Sequence, residues 1–139
     1  MFTKGENSFE IRLRNADGIP VLQLCGTVTK AALKSLRSNL DRLSRAGHYH
    51  IVINIERANA SNWRLLSSLA GTIRDIHAHY GSVDLVAGRD LAAQLAALGG
   101  KANLFRLFET ESQAISRIKG LPRQPDTVSN VNARFMEQS

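Results

Sequence analysis

Four histidines occur as two pairs, His48-Tyr49-His50 and His77-Ala78-His79. Alternate residues of a strand point the same way, so either pair has a spacing two metal ligands could use. The first pair, however, flanks a helix–strand junction, and the second falls at a helix end, where i,i+2 residues diverge. Both read as solvated loop histidines, with His77 and His79 complementing the negative end of a helix dipole when protonated. No metal site is expected. Cys25 is the single cysteine, which excludes an internal disulfide and a Cys-based zinc cluster and fits a reducing compartment. It ends an apolar strand and reads as a small buried hydrophobe rather than a reactive thiol. The carboxylates are scattered without the spacing of an acid/base pair. Neither a Gly-rich phosphate loop nor a Gly-x-Ser-x-Gly elbow occurs. No catalytic residue or cofactor is expected, so the chain does not read as an enzyme.

Binding chemistry is better represented. Lys30, Lys34, Arg37 and Arg45 fall on one side of the first predicted helix, with Asp41 between the last two. They read either as an ordinary solvated face or as an electropositive dock for an acidic surface or a membrane. Nucleic acid fits poorly, because no aromatic residues interleave with the basic ones to stack bases. The most informative stretch runs from Ile51 to Gly81: a covered strand leads through residues 56–61 into Asn62-Trp63-Arg64 and a helix. Trp63 at a helix start is either a protein-contact anchor or a core residue folded back on the sheet.

The elements that position these residues follow from periodicity. The 139 residues, 43% hydrophobic with net charge +6, suit one globular domain. No apolar run approaches the roughly 20 residues of a membrane-spanning helix, and the N-terminus lacks a secretory h-region; the expected location is cytoplasmic. Phe9, Ile11 and Leu13 alternate with charged residues as a half-buried strand, Asn15-Ala16-Asp17-Gly18 turns, and residues 21–25 return. Leu33, Leu36, Leu40 and Leu43 stripe a helix closed by Gly47. Residues 51–55 are β-branched throughout except at Asn54, as in a strand covered on both faces. Asn62 caps a helix carrying Leu66, Leu69, Ile73 and Ile76 inward. Residues 83–86 form a strand. A third helix with Leu91, Leu95 and Leu98 is capped by Asp90 and stopped by Gly99-Gly100. Residues 104–108 read as a last strand, and a capping box at Thr110–Gln113 opens a helix burying Ala114, Ile115 and Ile118. The predicted fold is a layered α/β domain, a mixed sheet of four to five strands (opening hairpin, then parallel) with about four helices. Residues 1–7 read as an N-terminal arm, 8–119 as the domain and 120–139 as a flexible tail.

This ordered set resembles the STAS domain of bacterial anti-sigma factor antagonists, over roughly residues 8–119. The resemblance is carried by the hairpin into Cys25-Gly26-Thr27-Val28, the leucine-striped helix, residues 51–55 with the following loop and helix, Val83-Asp84-Leu85-Val86-Ala87-Gly88, and the ending from Leu98-Gly99-Gly100 through Leu104-Phe105, Phe108 and Ser112 to Ala114. In that family the strand ends Asp-Leu-Ser-Gly and the helix begins Asp-Ser-Ser-Gly-Leu, whose first serine is phosphorylated by an anti-sigma factor kinase. Here Asn54 and Asn62 replace the two aspartates, Trp63 stands at the phosphorylated serine, and Arg64-Leu65 replace Ser-Gly. Trp63 has no hydroxyl, so the usual switch has no acceptor there. The resemblance therefore implies a non-enzymatic regulatory module that binds an anti-sigma factor-like kinase through Ser61, Asn62, Trp63, Arg64, Ser67, Arg74 and Asp75. Ser61 is the candidate substitute phosphoacceptor, beside a helix N-terminus and Arg64. The alternative is an accessory STAS subunit of a membrane (lipid or anion) transport complex.

Overall fold

A computed structural model describes residues 9–97 and 105–121. The predicted arm, the tail from 122, and Leu98, Gly99, Gly100 and Leu104 lie outside the described residues. Five strands form one sheet in the order β1(Phe9–Ala16), β2(Ile19–Thr27), β3(His50–Asn59), β4(Ser82–Val86) and β5(Arg106–Phe108). The hairpin β1–β2 is antiparallel and every later pairing is parallel. The hairpin turn uses Asp17 and Gly18, both at positive φ (56° and 86°), as a two-residue loop between twisted strands requires. Gly18 N–H donates to Asn15 Oδ1 at 2.8 Å.

One face carries α1(Lys30–Arg45), a 3-10 helix (Trp63–Leu69) continuing into α2(Ala70–Ala78), and α3(Arg89–Ala97). Leu22 and Leu24, Ile51, Ile53 and Ile55, and Val83 and Leu85 meet Leu33, Leu36, Leu40, Leu66, Leu69, Ile73 and Ile76 in the main core. The opposite face is covered by α4(Glu111–Lys119), whose Ala114, Ile115 and Ile118 pack on Val21, Val52 and Val86. The two-sided cover explains why β3 reads as a continuous apolar run.

Local signals set most helix ends. Thr29 Oγ1 accepts from Ala32 N–H at 3.2 Å to start α1. Gly47 at φ 94° ends it, with His48 N–H returned to the Leu43 carbonyl at 2.9 Å. The box at Thr110 and Gln113 is formed in both directions. Four expectations need correction. Leu13 is 58% exposed, because β1 is an edge strand and only Phe9 and Ile11 reach the main core. Asp90 lies within the first turn of α3 and does not cap it. Cys25 is half-buried, not sealed. His50 opens β3 and is half-buried, so it is not a solvated loop residue.

Candidate functional site

The β3 strand delivers the chain to the predicted contact loop through a bulge. Gln23 pairs with Asn54 and Cys25 with Arg57, so β3 spends one residue more than β2 over that stretch. Ile55 still points into the core, while Glu56 and Arg57 are both exposed. Asn54 organises this irregularity. Its Oδ1 accepts from Glu56 N–H at 2.9 Å, and its Nδ2 donates to Glu111 Oε1 at 3.0 Å and Glu56 Oε1 at 3.3 Å. Beyond the bulge, Asn59 is pinned to β2 and the residue after it: Val28 N–H donates to its carbonyl at 2.8 Å, and Thr27 Oγ1 lies 3.2 Å from its Oδ1.

Residues 60–62 then turn into the 3-10 helix. Asn62 caps it as predicted, accepting from Arg64 N–H at 3.0 Å. The expected single α-helix is thus two segments, 3-10 winding to Leu69 and α from Ala70. Ser61, Asn62 and Arg64 are exposed; Trp63 and Ser67 are half-buried. Trp63 packs against the main core with part of its surface open, so it is neither a free knob nor a sealed core residue. Arg74 and Asp75 are exposed on α2, about 20 Å along the helical axis from Trp63 by the rise per residue. The predicted contact residues therefore form a strip rather than one cluster. Asp75 instead lines an open groove of about 780 Å³ between α1 and α2, together with Arg37, Asp41, Arg45, Thr72 and His79.

Two polar networks lie on the α4 face, and sequence reading did not single them out. In one, Arg14 grips Glu111 through both terminal guanidinium nitrogens at 2.7 and 3.1 Å and donates from Nε to Gln23 Oε1 at 3.1 Å. This hydrogen bond, aided by Asn54, holds the Glu111 carboxyl below its ordinary range against the opposing effect of burial. In the other, Arg117 bonds Asp84 and Ser82, and Ser82 Oγ lies 3.0 Å from His50 Nδ1. Burial lowers the His50 pKa, and the charges of Arg117 and Arg106 add to that. Burial raises that of Asp84 against the pull of Arg117. A usable signal was present: a lone Asn or Asp inside a strand buried on both faces demands a partner.

Among the described residues, no three His, Cys, Asp or Glu side chains converge as a metal site, and no helix is long and apolar enough to cross a membrane. His79 instead stacks on Tyr49, with ring centroids 4.8 Å apart.

No protein-family model matches the chain, and no curated protein does. Solved structures do. The unphosphorylated anti-sigma factor antagonist SpoIIAA is 20% identical, with 81% of this chain and 100% of that one aligned at a TM-score of 0.61. An anti-sigma factor antagonist from Mycobacterium paratuberculosis is 18% identical over 81% and 95% of the two chains, with a TM-score of 0.67. The Bacillus cell fate determinant SpoIIAA in its phosphorylated form is 19% identical over 78% and 99%, with a TM-score of 0.58. By these alignments the chain has the STAS fold of the anti-sigma factor antagonists.

Proposed function

We propose that this protein is a non-enzymatic regulatory module that docks an anti-sigma factor-like kinase with the strip from Ser61 to Asp75. The observation that carries this reading is Trp63: a large aromatic, part open to solvent, flanked by the exposed polar residues Ser61, Asn62 and Arg64. Such a residue supplies apolar area on association, while Arg64 supplies a charge-assisted hydrogen bond at the rim. The solved antagonists of the same fold support the class of partner. With Trp63 at the position of the family's acceptor serine, regulation by phosphorylation moves to Ser61 or is absent. Calorimetric titration against the captured kinase tests the reading. Trp63→Ala is expected to weaken binding by more than about 1 kcal/mol; unchanged affinity removes Trp63 from the contact.

A second reading, an accessory subunit of a membrane transport complex, is favoured by α1. Lys30, Lys34, Arg37, Arg42 and Arg45 are exposed along it, and none forms an ion pair among the described residues. Co-purification with a permease, in place of a soluble kinase, would select it.

A further inference from the structure

The 3-10 helix runs for seven residues, whereas stretches longer than three or four are uncommon. It abuts α2 without a break: Leu69 has right-handed helical backbone and makes no side-chain cap. Only the winding changes at that junction, and winding decides which residues share a face. At three residues per turn Trp63, Leu66 and Leu69 stand in line. Burial follows that line, with Leu66 and Leu69 buried and Trp63 packed beside them on the core.

At 3.6 residues per turn the same sequence would align Leu65 and Leu66 with Leu69, Ile73 and Ile76, the apolar stripe of one continuous α-helix. Trp63 would then swing about 120° around the axis relative to Leu69 and draw about 3 Å closer along it. Both windings bury a leucine stripe, but only the 3-10 winding stows the indole. The flanks suit an exchange. Asn59 is fixed by Val28 and Thr27, while among the described residues Ser61 and Asn62 hydrogen-bond to nothing outside the segment. Asn62 serves either state, since a cap side chain accepts from the second or third helical N–H.

We propose that residues 63–69 are a two-state element, with Trp63 stowed against the core in the 3-10 winding and presented to solvent in the α winding. Partner engagement selects the presented state; that last step rests on the docking reading above.

The free 139-residue chain tests the element, because Trp63 is its one tryptophan. Ser67→Ala/Ser68→Ala trades two modest helix formers for the best one. It is expected to red-shift Trp63 emission, raise acrylamide quenching, and replace αN(i,i+2) NOEs across 63–69 by αN(i,i+4) NOEs. A folded variant that keeps wild-type emission and the i,i+2 pattern overturns the proposal. Titration with the kinase separates the two ideas. Affinity that depends on Trp63 without any change in its emission at saturation sinks the two-state element and leaves docking intact. Variants that shift Trp63 in a protein whose affinity ignores that residue support the element and sink docking.

Discussion

Arg117 closes its guanidinium over Asp84, with Nε 3.1 Å from Oδ2 and Nη2 3.0 Å from Oδ1, and the carboxylate has no exposed surface. One side chain of α4 thus neutralises the charge at the centre of β4. Arg117→Ala strands that charge, and the expected loss is about 3–5 kcal/mol of stability. Replacing both residues with apolar ones of similar volume should recover most of it. Urea denaturation of the two variants checks the difference.

Asn54 donates to two carboxylates and accepts from a backbone N–H, a combination aspartate cannot reproduce. Asn54→Asp is therefore expected to cost about 2–3 kcal/mol at neutral pH, by losing donors and opposing Glu111 and Glu56. Like charges raise a carboxyl pKa, so the gap from wild type should narrow as pH falls into the carboxylate range. Denaturation midpoints of both proteins over that range measure it.

Glu111 gives stability a second acid limb. Its pKa lies below the ordinary 4.5, chiefly because Arg14 hydrogen-bonds it. The folded state therefore holds fewer protons there than the unfolded one. The contribution is whole above about 4.5 and is lost as pH falls through the lowered value. Arg14→Ala should flatten this part of the stability–pH curve.

His50 acts in the same direction at higher pH. Burial holds its pKa below 6.5, so its contribution is complete above 6.5 and declines as pH falls from there toward the folded-state value. His50→Gln should remove that slope below about pH 6.5, with His48→Gln as the exposed control. Midpoints at matched ionic strength decide it.

Two glycines should respond oppositely to the same methyl. A Cβ at Gly81 would run into the Tyr49 carbonyl oxygen and lie 2.7 Å from Ile76 Cγ2, so Gly81→Ala is expected to destabilise by at least about 1–3 kcal/mol. Gly71, exposed in α2 with open space around it, should gain about 0.5–1 kcal/mol as alanine. Thermal melts separate the two.

Most of the fold was legible because its signals are local. The Asp17-Gly18 turn, the Leu33–Leu40 stripe, the Thr110 capping box and the β-branched run of β3 each act within a few residues. Leu13 misled because alternation marks a strand but does not say whether a helix lies above its far end. The winding at Trp63 was not legible, since a leucine at every third position serves both a 3-10 and an α-helix. The ion pairs in the polar networks join residues 97 and 33 apart, and no spacing rule reaches that far. Tyr80 shows a similar conflict. It takes positive φ (63°) and is 78% exposed, in a slot that usually goes to glycine.

Glu111 is synthesised 97 residues after Arg14. Val86, however, precedes Glu111 by only 25 residues, so at roughly 5–20 residues per second on the ribosome the nascent sheet of β1–β4 waits about 1–5 seconds for its second cover. During that interval Val21, Val52 and Val86 face water beside the hydrated Asp84. A chain stalled before residue 111 would present that unlidded surface to chaperones.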